Sequence, residues 1–120
     1  MDRAIQAIEN NDTTDFGLFC AMMRNREIIL DQEDTDILLD ALVYHTRGDL
    51  LLDFLSSSDP KRIIDHESSL FETDYLADCL CMEPMKYYIE HYLSKQELPN
   101  LFNYSKKIGF KDLTDYIQSQ

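Results

Sequence analysis

Five carboxylates crowd one short stretch of this chain: Asp31, Glu33, Asp34, Asp36 and Asp40 in DQEDTDILLD. Acids at such spacing are the raw material of a calcium loop. An EF-hand loop, however, needs Gly at its sixth position and Glu at its twelfth. Counted from Asp31, those positions hold Asp36 and Leu42, and the calcium reading fails. Asp36 and Asp40 stand i, i+4, a spacing that on a helix puts two carboxylates on one face, as general acid–base chemistry requires. The chain carries 23 acids against 11 Lys and Arg, a formal net charge of −12. In so acidic a chain the same spacing is the ordinary look of a solvated face.

Cys79-x-Cys81 has the form of half a thiolate metal site, but a closed zinc site takes four ligands. No second Cys pair exists, and His45, His66 and His91 stand apart in sequence. On a helix Cys81 falls about 200° from Cys79, and both read as small core-type residues. A cysteine nucleophile with a histidine base has no local signature here. Nor is there a Gly-rich phosphate loop or a GxSxG elbow. No metal, no cofactor and no catalytic residue is expected; a small cysteine-dependent enzyme is the remote alternative. Tyr87 lies off the stripe of Tyr88 and Tyr92, at i, i+4 with His91. An exposed Tyr beside acids is a common hot-spot type, and partial burial at the edge of a helical packing is the equally ordinary reading.

Elements must position these groups. The 120 residues suffice for one domain spanning 1–120 with one modest core. Hydrophobic residues make up 44%, and only three Gly and three Pro occur, which favours helices over tight β-turns. The acidity is uneven. Residues 1–60 hold 13 acids and 4 bases, residues 61–94 hold 7 and 3, and residues 95–120 hold 3 and 4. Such a charge opposes direct nucleic-acid binding and suits a basic protein partner. Three cysteines, an odd number, do not make a disulfide framework. The start, MDRAIQAIENND, has no signal-length apolar core, and no run reaches the 18 apolar residues a membrane span needs. A cytoplasmic setting, with no membrane contact, is the expectation.

The periodicity predicts helices throughout. Ala4, Ile5 and Ile8 share a stripe over residues 2–10, and Thr13, Thr14 and Asp15 supply the next start. DQEDTD reads as a break and solvated connector, after which Thr35 opens a helix whose core stripe is Ile37, Leu38, Ala41 and Leu42. HTRGD, residues 45–49, is a turn. Leu50, Leu51, Phe54 and Leu55 form the following stripe, stopped by Asp59-Pro60. Residues 61–72 read as irregular. Thr73 opens a helix with Tyr75, Leu76, Cys79 and Leu80 on its stripe, ended at MEP because Pro84 disfavours helix at Glu83. Met85, Tyr88, Ile89, Tyr92 and Leu93 build another helix, and a last pair bends at Gly109.

Residues 35–56 and 73–94 superpose at an offset of 38, with seven of 22 positions identical. A helical pair with an apolar stripe on each arm cannot bury both alone, and stacking pairs does so. The shared pattern resembles the ankyrin repeat. Thr35 and Thr73 match its capping Thr, Leu38 and Leu76 lie near its first core Leu, and Ala41 and Cys79 are its small packing residue. Phe54-Leu55 and Tyr92-Leu93 match its closing pair. The Pro and His of the family's opening are missing, and its spacing is 33. The resemblance implies an all-α, short stack of helix-turn-helix hairpins, an ankyrin-like α-solenoid used for protein binding; a compact irregular helical bundle is the rival.

Short acidic all-helical chains of this kind are also similar to bacterial immunity or antitoxin proteins. That similarity implies a non-enzymatic module, a monomer or a heterodimer with its partner, covering the basic active site of a nuclease-type toxin. A viral or bacterial effector that masks a host protein through a helical groove is the alternative. The candidate contact residues are Asp31, Glu33, Asp34, Asp36 and Asp40, their counterparts Glu67, Glu72, Asp74 and Asp78, and Tyr87.

Overall fold

Asp12 and Asp31 start the two helices that organise the acidic half. In the computed structural model, which describes residues 2–57 and 76–120, each places its carboxylate on the backbone N–H three residues on. Asp12 accepts from Asp15 N at 3.0 Å and Asp31 from Asp34 N at 2.8 Å. The helices are α1 (Asp2–Asn10), α2 (Thr13–Arg24), α3 (Gln32–Tyr44), α4 (Gly48–Ser57), α5 (Met82–His91), α6 (Leu98–Ile108) and α7 (Lys111–Gln118). Single 3-10 turns occupy 76–79 and Lys95–Glu97. The described residues contain no strand. The expectations for residues 61–72 and Thr73 lie outside them.

These caps correct the expected boundaries. Thr13 and Thr14 are already helical, and Asp12 does the capping. Thr35 does not cap: its hydroxyl donates to Asp31 O at 2.9 Å from within α3. DQEDTD is therefore the first turn of a helix and no connector. A carboxylate outcompetes a hydroxyl here because it adds charge at the positive helix end. Glu83 is also helical, since α5 begins at Met82 and carries Pro84 in its first turn, where the missing N–H costs no hydrogen bond.

The core stripe of α3 is rotated from its expected position. Leu38, Leu39, Leu42 and Val43 are buried, while Ile37 is 45% exposed. Leu80, expected on a core stripe, is 58% exposed and has φ 56°. Tyr88 and Tyr92 are buried and stacked, 5.9 Å between ring centroids. The Tyr92 hydroxyl donates to Leu55 O at 2.5 Å, tying α5 to α4. One hydrophobic cluster runs from Ala4 in α1 to Ile117 in α7.

The backbone repeats on a different period from the side chains. Asn11, Thr46, Leu80 and Gly109 all have positive φ, at 53°, 52°, 56° and 76°. Each sits two residues before a helix, α2, α4, α5 and α7. Each donates its N–H to the carbonyl three residues back: Ile8, Val43, Ala77 and Lys106. At Asn11, Thr46 and Gly109 the next N–H reaches the carbonyl five back, the left-handed close of a helix. The following helices begin at 13, 48, 82 and 111, steps of 35, 34 and 29. The expected offset of 38 aligned the turn at 45–48 with residues 83–86, which lie inside α5.

Packing follows the same order. α1 packs on α2, α3 on α4, and α6 on α7. Across these pairs α1 packs on α3, α2 on α4, α4 on α5 and α5 on α7. Two close approaches set the register. A Cβ at Gly48 would lie 2.5 Å from Cys81 Sγ. Arg47 reaches from the α3–α4 turn to the end of α1, where Nε donates to Ile8 O and Nη2 to Glu9 O, both at 2.8 Å.

Candidate functional site

The acids of α3 divide by what the fold asks of them. Asp31 caps the helix, and Glu33 and Asp34 sit in its first turn, where negative charge is favoured by the helix dipole. Asp36 and Asp40 lie beyond that turn. Asp40 is exposed and Asp36 half-buried. At about 100° per residue, Glu33, Ile37, Asp40 and Tyr44 fall within roughly 60° of one another on the outward side. They span about 16 Å of helix. Ile37 is 45% exposed and Tyr44 82%. The Tyr44 ring meets His45 edge-on, 5.0 Å between centroids at 88°. The whole helix contains no Lys or Arg. A large exposed aromatic among carboxylates is neither a core nor a capping arrangement. It suits contact with something cationic and partly apolar.

The other expected contact residues are spread out. Asp78, in the 76–79 turn, is exposed and accepts a hydrogen bond from Tyr104 OH of α6 at 2.7 Å, a structural tie between elements. Tyr87 is half-buried, its ring 4.2 Å from that of His91, so it stands at the edge of the packing. Glu67, Glu72 and Asp74 lie outside the described residues. The residues that complete the α3 face, Ile37 and Tyr44, were not anticipated. The signal was Asp40: an acid in the middle of ILLDALVY must face water, and its neighbours one helical turn away on either side are Ile37 and Tyr44.

Two of the three thiols, Cys20 and Cys79, are buried and held protonated. Cys20 is buried, and burial, reinforced by the Asp53 charge, pushes its thiol up to about 12. Cys79 is likewise pushed up to about 12, chiefly by burial. Cys81 is half-buried, with Sγ 3.2 Å from Cys79 O. Among the described residues no group of three or more His, Cys, Asp or Glu side chains is placed to hold a metal ion. Among them, too, no helix is long and apolar enough to cross a membrane.

Two apolar grooves accompany the α3 face. One, of about 500 Å³, lies beside α1 and α2 and is lined by Ala4, Leu18, Phe19, Met22 and Ile28. The other, of about 790 Å³, lies among α5, α6 and α7 over Ile89, Leu93, Leu98, Phe102 and Ile117. Comparison with protein-family models, with curated proteins and with solved structures gives no match to this chain.

Proposed function

We propose that the protein is a non-enzymatic acidic binding module that covers a basic surface of a partner protein, in the manner of an immunity or antitoxin protein blocking a nuclease-type toxin. The observation that carries this reading is the outward face of α3, with Asp36 and Asp40 beyond the capping turn and Ile37 and Tyr44 exposed between and beside them. An enzyme that grips phosphates is basic, and carboxylates held on a rigid helix complement it in both rate of encounter and orientation.

The scaffold for this function is an ankyrin-like stack of helical hairpins. Supporting it are the recurrent left-handed turn before α2, α4, α5 and α7 and the lateral row in which those four helices pack one on the next. The 34-residue step between α4 and α5 is close to the repeat length of that family. The module works in the cytoplasm, where its cysteines stay reduced, as a monomer that forms a heterodimer with its target.

Affinity capture of the partner from the native cell, followed by titration of the complex with salt, tests the reading. A basic nuclease domain whose affinity falls at least about tenfold between 50 and 500 mM salt is expected. A near-neutral partner with salt-independent affinity would overturn it. That outcome would favour the second reading, an effector that masks a host protein through an apolar groove. The groove beside α1 and α2, flanked by Leu18 at 57% exposure, supports that alternative.

A further inference from the structure

We infer that the outward face of α3 is a receptor for arginine side chains of the partner, with Asp40 and Tyr44 as its main seat and Glu33 and Ile37 as a second. This rests on the reading that the chain docks on a basic protein, and it specifies which cation that face selects. The face repeats one construction: an acid followed four residues later by a large exposed apolar side chain. Glu33 precedes Ile37, and Asp40 precedes Tyr44. On a helix such a pair stands about 6 Å apart at Cβ.

A guanidinium is flat, weakly hydrated and forked. It lies on an aromatic or aliphatic surface with one side while its edge donates two N–H groups to a carboxylate. An ammonium is compact and strongly hydrated, and gains less from the same pair. Tyr44 has the exposure this requires: at 82%, the neighbouring His45 covers at most one side of its ring. No cation of α3 itself competes, because the helix has none. The described ion pairs join Arg3 to Asp15, Arg24 to Asp53, Lys86 to Glu83 and His91 to Glu90, all away from this face. A second copy of the chain is disfavoured as the occupant by the net charge of −12.

The test uses the full chain and two 15-residue amphipathic helical peptides, identical except that four arginines in one are four lysines in the other. Binding is followed by fluorescence anisotropy at 50 mM salt, and the contact is mapped by backbone amide NMR. The arginine peptide is expected to bind about threefold to tenfold more tightly than its lysine twin, with shift changes centred on residues 33–44. Tyr44→Ala removes the preference, Tyr44→Phe keeps it, and Asp40→Asn weakens the arginine peptide most. Both positions are exposed, and an unchanged thermal transition verifies that the variants fold. Equal affinity for the two peptides with shifts still on α3 overturns the arginine reading and leaves the basic-partner reading standing. A preference that survives in Tyr44→Ala, or shifts centred elsewhere, overturns it as well. Failure of both peptides to bind, together with a captured partner that is not basic, overturns both readings.

Discussion

α3 and α6 hold corresponding places and carry opposite charge. Each packs on the helix that follows it, through a left-handed turn at Thr46 in one case and Gly109 in the other. Each buries a leucine completely, Leu38 in α3 and Leu101 in α6. Their remaining sides differ. α3 carries Glu33, Asp34, Asp36 and Asp40 and no base, whereas α6 carries Lys106 and Lys107 and no acid. The two lysines sit in the last turn of α6, where the helix dipole explains them. Asp40, exposed beyond the first turn of α3, has no such explanation. A helix that packs on its successor in this way therefore does not need a mid-helix carboxylate, and Asp40 calls for a reason outside the fold.

The largest effects should show the two helices to be alike inside. Leu38→Ala and Leu101→Ala are each expected to cost about 2–5 kcal/mol in urea unfolding, the usual range for a filled core site left partly empty. If one were silent, the two helices would not be structural counterparts. Next comes Gly48, whose missing side chain lets the start of α4 meet Cys81. Gly48→Ala should cost about 1–3 kcal/mol through overpacking, and Cys81→Ala in the same chain should not restore it, because the Cβ of residue 81, 2.6 Å from the added methyl, remains. The turns themselves should respond with opposite sign. Gly109→Ala forces a side chain into the left-handed region and should destabilise by about 1 kcal/mol. Thr46→Gly relieves the same strain at a β-branched residue, so its unfolding midpoint should rise or hold level where that of Gly109→Ala falls.

The smallest effect belongs to an acid that is already paired. Asp15 accepts two hydrogen bonds from Arg3, Nη2 at 2.9 Å and Nε at 3.1 Å. The hydrogen bonding from Arg3 holds its carboxyl below the ordinary value of 3.8. A carboxyl lowered in the folded state adds stability above its unfolded pKa and loses it as pH falls through the folded one. Arg3→Ala should therefore lower the unfolding midpoint slightly at pH 7, and the gap from the parent chain should close below pH 4.

Much of the fold was legible because helical periodicity and local stop signals agreed. The α6–α7 bend was readable from Gly109, and α4 from Leu50, Leu51, Phe54 and Leu55. Two features were not. The stripe of α3 was ambiguous because ILLDALVY is apolar almost all round, so Ile37 and Leu39 competed for the core, and only packing against α1 and α4 decided it. The 38-residue offset did not match the structure because the most regular mark of the chain is a backbone conformation. Asn11, Thr46 and Leu80 adopt it with side chains that have nothing in common, while the identities at the 38-residue offset, Leu38, Leu42 and Leu55 among them, are the core leucines and outer acids that any amphipathic helix shares. Of the site, the acids were visible as composition. Tyr44 and Ile37 were marked only indirectly, by Asp40 between them, and the rotation of α3 made them plain.

The most direct measurement reverses charge on the two helices in turn and asks which change the partner notices. In one variant Asp36 and Asp40 become lysines, and in the other Lys106 and Lys107 become glutamates. Binding to the partner captured from the native cell is compared with that of the parent chain at 100 mM salt. The α3 reversal is expected to weaken binding about a hundredfold, mostly through slower association, while the α6 reversal changes it less than about twofold. Equal affinity of both variants for that partner would contradict the account.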